Sequence, residues 1–498
     1  MRKGYLLKRF VRWESRSIYT LGIVILSMSL LMIPCLILAV LNKENIYPFL
    51  WPILFGFAMS GFFILFFKIP SHLRPVDELL MMLVLWFTII LFGIVPYIVS
   101  GMGVVDAIFE STSGFTTTGA SIMSDIESWP TSILLWRSLT HWIGGIMIVI
   151  MFMFVMSTVV PGSRSILKNE TSGSGNSNLF IRLKKAGKQF IITYVVLTGI
   201  FVITFLILGV NLIDSLSISF GTISTGGFMN KNDSLAGFSW TVKLAAIVFM
   251  ILSATNFYVH FKAIYQKKPS TYLHNQEFKV MIFWFLLVST IISFAIFVND
   301  ELWASKLEVL EDIVFTIVSF GTTTGFSTVD YSLLWPSVTV FILAIMMFIG
   351  GSAGSTSGGT KISRMIIIVH AIKNNLRELL HPNAIFDVKY DKESVGYDAV
   401  YAATVVTLLF VITIVIGTLV FAFSGIDVPG SFFTTVALVT GTGPSINEFG
   451  PFGSYCGMSD FDKLFSCFIM WVGRMEITTA LVILTPEFWR EVFSYKKQ

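Results

Sequence analysis

Charge is scarce in this chain. Asp, Glu, Lys and Arg make up 13% of its 498 residues, about half the share of an ordinary soluble domain. Cysteine is scarcer: Cys35, Cys456 and Cys467 are too few and too scattered for a disulfide framework or a metal cluster. The formal net charge is only +4, so nucleic acid is not expected as a partner. No pair of apolar segments presents His/Glu metal ligands, a Ser/Lys dyad or paired aspartates at its centre, so an enzyme is not expected either. The first apolar run, 17–42, has 26 residues. That is too long for a signal h-region, and no cleavable leader is expected.

What abounds is apolar. Hydrophobic residues reach 54% and aromatics 15%, with 47 Phe, as expected where lipid is the solvent. A helix needs about 20 apolar residues to cross ~30 Å of hydrocarbon. Suitable runs fall at 17–42, 45–67, 79–100, 138–163, 190–210, 244–261, 280–298, 332–360 and 399–423. A tenth, 464–486, is interrupted by Arg474 and Glu476. Ten spans put both termini on one side. Of the 34 Lys and Arg, 27 lie in segments on that side: 1–17, 68–78, 161–188, 262–279, 361–394 and 487–498. The positive-inside rule makes that side cytoplasmic. The other side is acidic, as in 299–312, where Asp300, Glu301, Glu308, Glu311 and Asp312 face one Lys306.

After two leading spans, the other eight form four pairs. Each pair encloses a short Ser/Thr/Gly-rich stretch: SGFTTTGAS at 113–121, SFGTISTGGFM at 219–229, SFGTTTGFST at 319–328 and VTGTGPS at 439–445. They align on Gly119, Gly227, Gly325 and Gly443, spaced by 108, 98 and 118 residues. Thirteen residues earlier stand Asp106, Asp214 and Asp312, with Gly430 in the fourth repeat. Asp is a favoured N-cap, so each is expected to open a short helix that the glycine ends. Such a unit is too short to cross and must dip in and return. Irregular backbone at membrane depth is tolerated only inside protein or along a wet cavity. Four loops meeting at an axis give rings of carbonyls, which replace an ion's water shell. The C-terminal dipole ends of four short helices favour a cation there. Asp125, Glu127, Asp233 and Asp330 follow the loops and are candidates to concentrate cations at the mouth.

These motifs resemble those of the TrkH/KtrB superfamily of potassium transporters over residues 79–490. The resemblance rests on FESTSGFTTTGAS (109–121), SFGTISTGGF (219–228), GGSAGSTSGGTK (350–361), GTGP (441–444) and GRMEI…LTPEFWR (473–490). The two leading spans favour the TrkH branch. The resemblance implies an all-α polytopic membrane protein, with four helix–re-entrant loop–helix repeats forming a pseudo-fourfold, potassium-channel-like pore behind two extra helices. The expected divisions are an extra domain at 1–76, repeat 1 at 77–163, a cytoplasmic linker with repeat 2 at 164–264, repeat 3 with a glycine-rich loop at 265–372, and a linker with repeat 4 at 373–498.

The resemblance also implies K⁺ as the transported ion, with no organic cofactor in this chain. It implies a homodimer in the bacterial cytoplasmic (inner) membrane and a cytosolic TrkA-type nucleotide-binding subunit on the inner face. By position, the filter would use carbonyls of Thr117, Thr118 and Gly119; Thr225, Gly226 and Gly227; Thr323, Thr324 and Gly325; and Gly441, Thr442 and Gly443. In related plant transporters a serine at the first filter glycine goes with sodium preference; all four positions are Gly here. A sodium-coupled or sodium-permeable relative and the potassium-binding subunit of a P-type pump are the alternatives.

Two internal elements stand out. Gly350, Gly351, Gly354, Gly358 and Gly359 weaken the second helix of repeat 3, at roughly 1 kcal/mol each, so a break at membrane depth is expected. A phosphate-binding loop does not fit, because Thr360 precedes Lys361 and no parallel sheet surrounds it. The resemblance implies a flexible gate there; close helix packing through small residues is the alternative. Arg474 lies inside the last span, and intramembrane charge is functional by default. The resemblance implies that it projects into the pore beneath the filter; an ion pair with Glu476 or Glu110 is the other reading. His141, before Trp142-Ile143-Gly144-Gly145, reads as packing rather than proton relay. The basic stretches 164–188 and 361–377 suit a docked subunit or anionic lipid.

Overall fold

The computed structural model describes residues 2–67, 75–158, 179–298, 306–384, 386–391 and 393–493. Most of the basic stretch 164–188, together with Asp300 and Glu301, lies outside the described residues. The described chain is helical apart from loops and one two-stranded hairpin, Lys389–Tyr390 with Glu393–Ser394.

Two helices, Arg2–Leu41 and Tyr47–Phe66, pack on each other ahead of the repeats. Their connection carries Glu44, whose carboxylate accepts from the amides of Thr131 and Ser132, both at 3.0 Å, and from the Ser132 hydroxyl. It thereby caps the second helix of repeat 1 and satisfies donors that a helix start leaves open.

Each repeat has a first helix, a short helix and a second helix. In repeat 1 these are Pro75–Gly93 (continued by Val95–Val99), Val104–Phe115 and Thr131–Thr158. In repeat 2 they are Leu179–Ile207, Leu212–Ile223 and the pair Trp240–Ser253 and Phe257–Tyr265. Repeat 3 has Gln276–Val298, Lys306–Gly321 and Ser337–Ile349, followed by Ile362–Leu380. Repeat 4 has Tyr397–Phe423, Val428–Thr440 and the pair Asp460–Arg474 and Ile477–Ile483. The second helix of every repeat packs against the short helix of the next, and that of repeat 4 closes on repeat 1. The arrangement is a closed pseudo-fourfold ring.

The polarity of the packing is inverted relative to a soluble domain. Long first helices turn Ile203, Phe294 and Leu419 outward, as lipid permits. The centre is filled by hydroxyl residues, among them Ser111, Thr112, Thr222, Thr316 and Thr434, all buried.

The expectations of ten spans and of aspartate caps are corrected. Seven described helices are long and apolar enough to cross a bilayer, and the two bent pairs raise that to nine. The run 332–360 breaks where its glycines predict, its helix stopping after 13 residues at Ile349, about 20 Å of rise. The runs 244–261 and 464–486 are not straight spans, bending by 103° and 118°. In the first of these, the freed Ala254 carbonyl accepts from Ser352 and the Phe257 amide donates to Gly354, so another repeat satisfies the break. Finally, the aligned aspartates are not caps. Asp106 and Asp214 sit at the third helical position behind Gly103 and Asn211, and Asp312 lies mid-helix. In the fourth repeat the cap is Asp427, which accepts from the Gly430 amide.

Candidate ion pathway

The four short helices end where the aligned glycines begin, and the backbone there is unusual. Thr117, Thr225 and Thr323 have φ of +50°, +52° and +56°, and Gly441 has +70° at the equivalent position. Two residues on, Gly119, Gly227, Gly325 and Gly443 lie between +81° and +92°. A β-branched residue at positive φ is an outlier, at a cost of about 1–2 kcal/mol each. Three in register show that the surrounding structure imposes this path. The sign of φ alternates along each loop, which turns successive carbonyls toward one side.

The glycines reveal how the loops meet. A Cβ on Gly119 would lie 2.1 Å from the Gly226 oxygen, one on Gly227 2.1 Å from the Thr324 oxygen, and one on Gly325 2.0 Å from the Thr442 oxygen. One on Gly443 would lie 2.4 Å from the Thr118 oxygen, closing the circle. The ring leaves no room for a side chain.

Among the described residues, no protein donor reaches the carbonyls of Thr117, Thr118, Gly119, Thr225, Gly226, Gly227, Thr323, Thr324, Gly325, Gly441 or Thr442. Buried carbonyls are ordinarily paired. Gly443 differs, accepting from the Tyr455 hydroxyl at 2.7 Å. Side chains hold the loops from behind. Hydroxyls of Thr116 and Thr118, of Thr322 and Thr324, and of Thr440 and Thr442 bond pairwise at 2.8–3.0 Å. Repeat 2 has Gly226 instead, and His141 fills that space: its ring stacks on Phe228 at 4.0 Å, and Nδ1 accepts from the Phe228 amide. His141 is a packing residue.

Behind repeat 1 lies a buried pair that the sequence reading missed. Arg137 donates to Glu110 at 2.5 Å and to the Met229 carbonyl at 2.8 Å, with its guanidinium over the Phe228 ring. Glu110 also accepts from the Ile122 amide and the Ser121 hydroxyl. The available signal was a carboxylate in the interior of a short helix expected at membrane depth.

All four glycines line one cavity, together with Arg137, Lys231 and Asn232. The four acidic candidates at the mouth do not line it: Asp330 caps a helical turn, and Glu127 pairs with Lys231 at 3.6 Å.

On the opposite side of the loops, a second cavity is lined by Ser355, Ser357, Gly358, Gly359, Lys361, Arg364, Gly473, Arg474 and Glu476. The helix break at 350–361 is present, but its residues are pinned. Gly358 donates to the Thr323 hydroxyl at 2.7 Å, the Thr356 hydroxyl to the Ile223 carbonyl at 2.9 Å, and Gly351 to the Ser357 hydroxyl at 3.0 Å. Gly350, Gly354 and Gly359 adopt positive φ. Arg474 is buried, and its Nη1 comes within 3.9 Å of the space that a Gly441 side chain would fill, where the Thr117 carbonyl also points. Neither acid considered for an ion pair is free for it. Glu110 is held by Arg137, and Glu476 by Arg364 at 2.6 Å. Nε and Nη2 of Arg474 have no protein hydrogen-bond partner among the described residues.

A closed ring of re-entrant loops inside a multi-pass helical bundle belongs to a membrane transporter, not to an enzyme. The family model TrkH, described as a cation transport protein, matches residues 85–490. This chain belongs to the TrkH family. It is 29% identical over 482 residues to the Trk system potassium uptake protein TrkH of Halomonas elongata, covering 95% of this chain and 98% of that protein. The Escherichia coli K12 protein of the same name is 28% identical over 432 residues, 85% of this chain and 88% of its own length. The crystal structure of the potassium transporter TrkH from Vibrio parahaemolyticus superimposes with a TM-score of 0.85 at 26% identity, covering 95% of this chain and 99% of that one.

Proposed function

We propose that this protein takes up potassium across the bacterial cytoplasmic membrane through a filter of backbone carbonyls. The observation that carries this reading is the ring of carbonyls without protein donors among the described residues. A dehydrated cation supplies the positive charge they lack, and oxygen rings are the ligand type that monovalent cations take. Among the described residues no cluster of three His, Cys, Asp or Glu could hold a metal ion instead. The relatives named for potassium uptake support K⁺ as cargo.

The loop at 350–361 and Arg474 form the gate beneath the filter. An unpaired guanidinium in a narrow path opposes a cation strongly even at intermediate dielectric. The loop blocks the same space, and opening it requires breaking the bonds from Gly358 and Thr356. The chain assembles as a homodimer with a pore in each subunit, both termini cytoplasmic, and a cytosolic nucleotide-binding subunit biases the gate. The relatives' naming as parts of a Trk system is consistent with such a companion.

The test is flux through purified protein in liposomes, with K⁺, Na⁺, Rb⁺ and Li⁺ compared. Passage of K⁺ and Rb⁺ well ahead of Na⁺ and Li⁺ is expected. Equal K⁺ and Na⁺ flux would assign the chain to a sodium-permeable relative.

A further inference from the structure

The gating loop has one carboxylate fastened to it from outside, and that carboxylate is shared. Glu277, buried in the first turn of Gln276–Val298, accepts from the Ala353 amide at 2.8 Å through one oxygen. Its other oxygen accepts from the Tyr390 hydroxyl. Tyr390 belongs to the hairpin that pairs with Glu393–Ser394. The same hairpin is tied down twice more. Asp391 donates its amide to the Gln276 side chain at 2.7 Å, and the Lys389 carbonyl bonds Nδ1 of His370 at 2.6 Å. His370 lies on Ile362–Leu380, the helix that continues directly from the gating loop.

The hairpin is therefore tied to the loop through Tyr390, Glu277 and Ala353, and to the helix that follows the loop through His370. It sits at the first turn of Gln276–Val298, whereas the short helix and filter of repeat 3 follow that helix's other end. The hairpin lies toward the inner side, and its strand residues Lys389, Glu393 and Ser394 are solvent-exposed.

We infer that Glu277 is a positioning residue for the gate, a latch through which displacement of the Lys389–Ser394 hairpin releases the loop. This rests on the reading of 350–361 as a gate. A buried carboxylate bound to a backbone amide and a phenol gains strength from the low local dielectric. Pulling Tyr390 away removes one of the two donors from which Glu277 accepts and weakens the hold on Ala353. Glu277 touches no ion and acts only through the loop.

Two readouts separate the latch from the gate. The first is amide hydrogen exchange of the full chain in detergent, read on peptides covering 350–359. The second is K⁺ flux in liposomes normalised to folded protein. Tyr390→Phe keeps the ring and its packing and deletes one hydroxyl. Losing a single such bond should shift the loop's opening equilibrium about fivefold. Exchange at 350–359 and flux should both rise by that order. Glu277→Ala should raise both by at least as much, since it removes both acceptor oxygens, and adding Tyr390→Phe to it should add nothing. Unchanged exchange at 350–359 in Tyr390→Phe overturns the latch, whatever flux does. Raised exchange without raised flux supports the latch and sinks the gate. If Glu277→Ala does not fold, Tyr390→Phe alone decides.

Discussion

At the scale of single residues, the ring glycines and Arg474 carry the sharpest expectations. Gly325 faces the Thr442 oxygen at a separation that no Cβ tolerates, at φ of +82°. Gly325→Ser must displace that carbonyl, so K⁺ selectivity over Na⁺ should fall in reversal-potential or competitive-flux measurements. A folded, active variant with unaltered discrimination would remove Gly325 from the filter. For Arg474, the occupied partners of Glu110 and Glu476 leave the pore-facing role standing. Arg474→Ala should raise K⁺ flux per folded molecule with little change in melting temperature. Lower stability without higher flux would make it a structural residue.

At the scale of elements, the broken second helices set the behaviour. Three of the four repeats break their second helix, after Ser253, Ile349 and Arg474, and only Thr131–Thr158 runs through. The glycine-rich break was legible because five glycines in ten residues cannot sustain a helix. The break after Ser253 was not, because no glycine or proline occupies 254–256 and the backbone there is satisfied from repeat 3, whereas the break after Arg474 falls where Arg474 and Glu476 interrupt the apolar run. Removing Ser355, Thr356 and Ser357 withdraws the Thr356 bond to Ile223 and shortens the plug, so flux should rise in liposomes. Unchanged or lower flux would retire the gate.

The cap at Glu44 offers a stability measurement. Burial raises its pKa, but hydrogen bonds from Ser132, Asn42 and Thr131 outweigh this and hold it below its ordinary 4.5. A depressed folded pKa means stability present above pH 4.5 and lost as pH falls below it toward the folded value. Glu44→Ala should cost about 1 kcal/mol, and that deficit should shrink in thermal melts as the pH is lowered past 4.5. A deficit independent of pH would deny the charged cap.

At the scale of the whole molecule, the proposed soluble partner is open to test. Of the two basic stretches, the second is partly spoken for, since Lys361 and Arg364 line the second cavity and Arg364 holds Glu476. The basic residues left for docking are those of 164–188 with Lys373 and Arg377. Neutralising these should abolish co-purification of a soluble nucleotide-binding subunit. Retention of the subunit would assign the charges to anionic lipid instead.

By itself the sequence determined whatever needs only a residue type at an interval. Membrane residence follows from apolar runs. The fourfold repeat follows from four glycines about a hundred residues apart, because a backbone at positive φ with no room for Cβ admits nothing else. Arg474 was conspicuous because charge is rare at that depth. Only the tertiary structure decided who meets whom. The cyclic approach of each glycine to its neighbour's carbonyl, the capture of Glu110 by Arg137, the stacking of His141 on Phe228 and the hold of Glu277 on Ala353 join segments 27 to 325 residues apart. A hydrogen bond or a close approach across such distances leaves no periodicity in either segment. It exists only once packing has fixed both.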